Sequence, residues 1–118
     1  MSLKLAILAT ITALPFEVVP VPEFGDGQAL RVSVMSVAER DLFDSAYRAY
    51  PETERAENFR SLLVICTVKD AEGQPVFSLA DLPDVKKLNS LAVMRLADVA
   101  LRLNNMVKKS GDDPEKNS

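Results

Sequence analysis

A change of hydrophobic period within residues 28–50 constrains the fold of this chain more than any other feature. Leu30, Val32 and Val34 alternate with polar residues, which is the period of two that is typical of a half-buried strand. Directly afterwards, apolar residues recur at helical spacing until Pro51, a residue that cannot continue a helix. The segment therefore predicts a strand followed at once by an amphipathic helix.

The start of this helix is marked by Ser36 and Glu39. A serine at the N-cap accepts a backbone N–H, and a glutamate three residues later reaches back to the N-cap, which together form a capping box. The apolar positions that follow predict a single stripe facing the core, composed of Ala38, Leu42, Phe43, Ala46, Tyr47 and Tyr50.

Residues 3–13 are apolar almost throughout and predict a short helix that ends before Pro15. A helix that is apolar nearly all round must be covered, either by the rest of its own fold or by another chain. The same run follows Lys4 and imitates a secretory signal, although one basic residue and no clean cleavage site make the imitation imperfect. At about ten apolar residues it is too short to span a bilayer.

Residues 16–35 predict a β-ribbon. The first strand, residues 16–22, contains Pro20 and Pro22, which confine it to the edge of a sheet. The sequence Phe-Gly-Asp-Gly then supplies a turn, and residues 29–35 return as the second strand. Because a two-stranded ribbon is marginal alone, it is expected to pack on helices.

The rest of the chain predicts helices. One covers residues 54–69, where β-branched residues near the end also suit a strand; a turn at residues 70–75 follows, with Gly73 in a left-handed conformation. A short helix over residues 79–87 and a longer one, capped by Asn89 or Ser90 and reaching Met106, complete the pattern.

The predicted fold is thus mainly α with a small N-terminal β-hairpin (α+β). Residues 1–106 form a single domain of four to five helices, and residues 107–118 form a disordered polar tail.

The last helix carries a narrow polar stripe within a largely apolar surface. Arg95, Asp98, Arg102 and Asn105 recur at steps of three and four, and Asp98 is expected to pair with both arginines. The remaining surface is wider than one core contact needs. The helix is therefore either central in its own domain or packed on a neighbouring subunit, and the sequence leaves both readings open.

Composition excludes several classes of function. The 118 residues carry a formal net charge of −3, which disfavours a nucleic-acid partner. The absence of histidine removes the usual general base and metal ligand, and four scattered glycines form no phosphate-binding loop. Cys66, the single cysteine, lies in an apolar run and is expected to be a buried, inert thiol.

The acidic residues also suggest no chemistry. The tightest group is Asp112, Asp113 and Glu115, in the predicted tail, where it matches no calcium loop. Glu39, Asp41 and Asp81 fall in first turns of predicted helices, where the helix dipole favours negative charge. The sequence therefore predicts a protein that is not an enzyme, with no catalytic residue, metal ligand or cofactor.

Three local motifs carry a family resemblance: A-E-R-D-L-F at residues 38–43, D-x-x-G-x-P-V-F at 70–77, and A-L-R-L-N at 100–104. In this order, over residues 16–106, the chain resembles the tail assembly chaperones of long-tailed, siphovirus-type bacteriophages. None of the motifs is a catalytic signature.

The resemblance implies a non-enzymatic viral protein that acts during tail morphogenesis in the host bacterial cytoplasm and is absent from the mature virion. Such chaperones coat the tape measure protein, help to recruit the major tail (tube) protein, and self-associate into curved or spiral oligomers. No nucleic acid or membrane is implied as a partner. They are commonly made in two lengths by a ribosomal frameshift, with which Lys108-Lys109 is compatible.

The candidate residues for self-association and client binding are the large apolar residues of the first and last helices. The alternative for each residue is that its side chain packs in the protein's own core. Two rival functions are a structural tail component, such as a tube or connector subunit, and a small secreted binding domain if the N-terminus is a cleaved signal. The candidate residues are Leu3, Ile7, Leu8, Ile11, Met94, Val99, Leu101 and Met106.

Overall fold

The computed structural model describes residues 2–106, in which five α-helices and a small antiparallel sheet form a single α+β domain. This confirms the predicted fold class. The predicted tail, with Lys108-Lys109 and the acidic group, lies outside the described residues. The elements are α1 (Leu3–Leu8), β1 (Phe16–Pro20), β2 (Ala29–Ser33), α2 (Val37–Ala49), α3 (Glu52–Thr67), β3 (Val68–Lys69), α4 (Leu82–Val85) and α5 (Ser90–Leu103), with 3-10 turns at Ala9–Ala13, Pro22–Phe24 and Leu79–Asp81.

The sheet has three strands in the order β1-β2-β3, all antiparallel. β1 is an edge strand, as predicted from Pro20, and it pairs with β2 from Phe16 opposite Ser33 to Pro20 opposite Ala29. It ends two residues earlier than predicted, because Pro22 begins a 3-10 turn. The prediction of a two-stranded ribbon is wrong in its strand number. The chain leaves the helical conformation after Thr67, because its next two residues extend and pair with β2 as β3.

The central element is α3. Every residue from 61 to 67 is buried, since this half of the helix lies among α2, α5 and β2. The half of a helix that is covered on all sides needs no polar face, which explains why residues 61–67 include no charged side chain. Leu62, Leu63 and Val64 are among the most completely buried side chains of the core.

Helix α5 is not central, because it buries one face only. Ala92, Leu96, Ala97 and Ala100 are fully buried, and their mostly small side chains allow α5 to approach α3 closely. On the opposite face, Leu91 is exposed. Of the two readings of the last helix, the structure therefore excludes the central one.

The same helix ends at Leu103, three residues before the predicted end. Asn105 adopts a left-handed conformation with φ of 55°, and the N–H of Met106 donates to the carbonyl of Leu101 at 2.8 Å. This is a Schellman motif in which asparagine takes the position usually held by glycine. The cap directs Met106 back toward the core.

Asn104 gives the motif at residues 100–104 a structural role. Its side-chain oxygen accepts the N–H of Met35 at 2.8 Å, and its amide nitrogen donates to the carbonyls of Ser33 and Ala100. The side chain thus ties the end of α5 to the connection between β2 and α2.

The arginines of the polar stripe on α5 pair with carboxylates from other parts of the domain, not with Asp98 of the same helix. Arg95 makes two hydrogen bonds to the Glu23 carboxylate, at 2.8 and 2.6 Å, and Arg102 donates to Glu17 at 2.8 Å. The prediction that Asp98 would pair with both arginines is therefore wrong. Because α5 packs alongside β1, carboxylates on and beside that strand lie closer to the two guanidinium groups.

The Glu23–Arg95 pair predicts an acid-sensitive contribution to stability. The hydrogen bond from Arg95 lowers the pKa of Glu23 to about 2. Stabilisation from this shift is complete above the ordinary pKa of glutamate and is lost as the pH falls toward 2. We expect Glu23→Gln to lower the thermal unfolding midpoint at neutral pH, with the gap to the unmodified protein narrowing as the pH falls below about 4.5. A gap of constant size down to the most acidic buffer would contradict the assignment.

Helix α2 begins as predicted. The N–H of Ser36 donates to Glu39 Oε1 at 2.9 Å, and the N–H of Glu39 donates to Ser36 Oγ at 3.2 Å, so both halves of the capping box form. The cap of α5 is Asn89, whose side-chain oxygen accepts two backbone N–H groups.

The predicted apolar stripe of α2 is correct only in part. Phe43 is buried and stacks with Tyr47, and both meet Phe59 of α3 edge to face. Ala38 and Leu42 are exposed instead, because α3 packs along one edge of the stripe and leaves the other edge uncovered. The uncovered edge borders a groove, of which Leu42 forms one wall.

Candidate functional site

Among the described residues, the ion pair between the buried Lys69 and the partly buried Glu39 has its polar groups hydrogen-bonded within the domain. Lys69 Nζ lies 2.9 Å from Glu39 Oε2 and donates to Ser33 Oγ at 3.0 Å, while the Ser33 hydroxyl donates to the carbonyl of Thr67. The second oxygen of Glu39 already accepts the N–H of Ser36. The cluster thus joins α2 to the sheet, and its groups are occupied in holding the fold. Within residues 2–106, no three acidic or cysteine side chains converge as a metal site would require.

The feature that stands out is the segment of residues 2–13, which we call the arm. It contains α1 and the 3-10 turn after it, and every one of its residues is exposed. Its five large aliphatic residues are uncovered to an unusual degree: Leu3 77%, Leu5 59%, Ile7 56%, Leu8 47% and Ile11 66%. Local hydrogen bonds hold the arm in shape, but the rest of the domain does not cover it.

An uncovered arm of this kind is unfavourable in an isolated molecule. Ser2 Oγ caps α1 by accepting the N–H of Leu5, and Thr10 Oγ donates to the carbonyl of Ile7. A helix of six residues is nevertheless marginal in water without packing. The arm therefore needs a surface on which to pack.

The structure places the eight candidate residues in two environments. Leu3, Ile7, Leu8 and Ile11 lie on the arm, and Met94 is 42% exposed on α5. The other three are partly buried against the core: Val99, Leu101 and Met106.

The arm and Met94 do not form one continuous surface. Ile11 lines a groove of about 790 Å³ beside β1, whose floor includes Arg31 stacked 4.2 Å above the ring of Phe16. Met94 instead borders a shallow depression of about 290 Å³ between α3, α4 and α5. The two sets of candidates therefore lie on separate surfaces.

A further groove, which sequence reasoning missed, lies along the uncovered edge of α2. We call it the apolar groove; its volume is about 610 Å³. Leu42 forms one wall, α3 supplies the floor, and the segment after the turn at residues 70–75 forms the other wall. Its lining residues are Glu39, Leu42, Ile65, Cys66, Lys69, Pro75, Phe77, Ser78, Leu79 and Ala80.

One sequence signal pointed toward this groove. The motif at residues 70–77 encodes a tight turn, in which Gly73 has φ of +84° and the Asp70 carboxylate accepts the N–H groups of Glu72 and Gln74. The turn reverses the chain and brings Phe77 alongside α2. No local sequence pattern predicts that Phe77 lies alongside α2, because the two walls and the floor of the groove come from separate segments.

Cys66 lies in the floor of the groove as a protected thiol. It is 5% exposed, and burial, reinforced by the nearby Glu39, raises its pKa to about 11. Relative to an ordinary thiol, about a hundredfold less thiolate exists at neutral pH. We expect alkylation by iodoacetamide to be at least about a hundredfold slower in the folded protein than in denaturant. Equal rates in both conditions would contradict burial of this side chain.

Each helix within residues 2–106 falls short of the length and apolar character that a membrane crossing requires.

Comparison with known proteins identifies a shared fold. The chain matches the structure of the bacteriophage HK97 tail assembly chaperone with a TM-score of 0.59 and 24% sequence identity, covering 86% of this chain and 98% of that chain. No protein-family model matches the sequence, and neither does any curated protein. The resemblance predicted from the sequence is therefore confirmed at the level of the fold.

Proposed function

We propose that this protein is a non-enzymatic tail assembly chaperone that self-associates and shields the tape measure protein of a phage during tail morphogenesis. The observation that carries the proposal is the arm, in which five large aliphatic residues are left uncovered beside a domain whose own core is complete. The fold shared with the HK97 chaperone supports the same assignment.

The mechanism is hydrophobic shielding. A long helical client with an apolar face needs a complementary apolar surface, and the exposed Leu91 and Met94 of α5, repeated along an assembly, supply one. Contact with a single subunit is weak, but many adjacent subunits on one client raise the effective affinity without new contacts. Self-association and client binding therefore reinforce each other.

The partners that we propose are further copies of this chain, the tape measure protein and the major tail (tube) protein. The chaperone acts in the host cytoplasm and leaves before the virion is complete. A longer frameshifted form would be encoded near Lys108-Lys109, and reading the gene for a slippery heptamer there checks that part.

Co-purification with the long tape-measure-like product of a neighbouring gene tests the proposal. We expect the tagged protein to retain that product in the supernatant, and Ile11→Asp to lose it. Thr12→Asp is the matched control, because it adds the same charge to the arm at an already polar and exposed position. A client that stays insoluble with the unmodified protein, or binds Ile11→Asp equally well, would contradict the shielding mechanism.

Mass spectrometry of purified virions separates the chaperone from a structural tail component. A chaperone is missing from finished particles, whereas a tube or connector subunit is retained in stoichiometric amounts. The mass of the mature chain addresses the second rival, because a secreted domain would lack residues 3–13.

A further inference from the structure

We propose that the apolar groove is the receptor for the arm of a second copy of this chain. The inference rests on the self-association proposed above and deepens it, because it assigns the two contacting surfaces. One subunit contributes Leu3, Ile7 and Ile11 of the arm. The other contributes the groove between α2 and Phe77.

The shapes of the two surfaces are compatible. Within α1, Leu3 and Ile7 are four residues apart, with Leu8 beside Ile7. This is the spacing by which an amphipathic helix anchors in a hydrophobic groove. Ile11 follows in the 3-10 turn and extends the exposed apolar surface of the arm. The groove offers about 610 Å³ with an apolar floor at Ile65, which is enough space for several aliphatic side chains.

The uncovered area is in the range that a specific contact needs. Five aliphatic residues with exposures of 47% to 77% present on the order of 500 Å², close to the area per partner at the low end of specific interfaces. Leu42, at 46% exposure, adds apolar area on the receptor side. Because each subunit contributes one arm and one groove, each makes this contact twice within an assembly.

The charges are also complementary. Lys4 is the one charged side chain in residues 2–16. In the groove lining, Glu39 is neutralised by Lys69. Asp81 follows the last lining residue, Ala80; its carboxylate accepts hydrogen bonds from Ser78 and has no cationic partner among residues 2–106. The arm therefore carries a positive charge, and an unneutralised carboxylate lies one residue beyond the groove lining.

The pairing has a geometric consequence. Arm and groove are different surfaces, so the contact can repeat from one subunit to the next, and we infer that it does. A repeating contact closes into a ring or continues as an open helix. Two subunits that exchanged arms reciprocally, or that paired arm to arm, would instead stop at a dimer.

Site-specific cross-linking tests the pairing. Cys66→Ala removes the natural thiol, and Ile7→Cys with Leu42→Cys then places one thiol on the arm and one at the groove. After mild oxidation of the full-length protein, we expect a ladder of dimers, trimers and larger species on a non-reducing gel. The matched control replaces Leu42→Cys with Val37→Cys, on the same helix and 80% exposed but outside the groove. We expect the Leu42→Cys pair to cross-link at least about tenfold faster than this control.

The other outcomes would overturn the inference. Dimers that form equally well with Ile7→Cys as the sole thiol indicate that arms pair with each other. An internal disulfide within a monomer indicates that the arm docks on its own domain. Equal ladders from the Val37→Cys control indicate random collision.

Light scattering on the same variants in their reduced form distinguishes a wrong choice of groove from a failure of the proposed self-association. If the variants still self-associate without forming the ladder, the assigned groove is wrong while self-association stands. If the unmodified protein is a monomer throughout, both proposals fail.

Discussion

Replacing both Ile7 and Ile11 with aspartate should abolish the proposed self-association without unfolding the protein. Both side chains are more than half exposed, at 56% and 66%, and neither belongs to the core. At 1.5–3 kcal/mol for each fully buried aliphatic side chain, their packing on a neighbour contributes roughly 2–4 kcal/mol per arm. That corresponds to about one and a half to three orders of magnitude in the dissociation constant.

Sedimentation velocity and thermal unfolding together check this result. We expect one species at the mass of the single chain and an unfolding midpoint close to that of the unmodified protein at low concentration. Ala6→Asp with Ala13→Asp is the control, since it adds the same charges to the arm at exposed positions with small side chains that make no hydrogen bonds. Persistent oligomers in the isoleucine variant, or equal dissociation of the alanine variant, would show that the arm's large apolar residues do not drive assembly.

The second large effect concerns the stability of the domain. Leu63→Ala should destabilise the fold by about 2–5 kcal/mol, because Leu63 has no exposed surface and lies in the half of α3 that is covered on all sides. Domains of this size are stable by about 5–15 kcal/mol, so the variant should lose a large share of its total stability. Urea unfolding followed by circular dichroism measures the change.

Leu91→Ala is the matched control for that experiment. The same atoms are removed from a leucine that is 67% exposed on α5, and we expect a change within about 0.5 kcal/mol. If the two variants lost stability equally, the assignment of α3 as the central helix would be wrong.

Sequence reasoning worked best where one local rule sufficed. The helix after residue 36 has a polar face, a capping box and a terminal proline, and all three act within a few residues of one another. The edge position of β1 follows from the geometry of Pro20, and the turn at Gly73 follows from the left-handed conformation of that residue. In each case the neighbours along the chain determine the structure.

Sequence reasoning failed where the contacting residues are far apart in the sequence. The helix predicted over residues 54–69 is present as α3, but the last two residues of that range form β3 instead, because they pair with Arg31 and Val32 of β2. Asp98 is spaced to pair with Arg95 and Arg102 on its own helix. The two arginines instead pair with Glu23 and Glu17, which the fold places beside α5. The apolar groove was missed for the same reason, since its walls meet only in the folded domain.

The most direct test of the central claim is the molar mass of the unmodified protein in a dilution series, measured by multi-angle light scattering from about 100 µM to about 1 µM. We expect a mass well above the 12.9 kDa of one chain at the highest concentration, falling toward that value on dilution. A mass of one chain at every concentration would show that the exposed arm does not bind another copy, and would contradict the assembly mechanism proposed here.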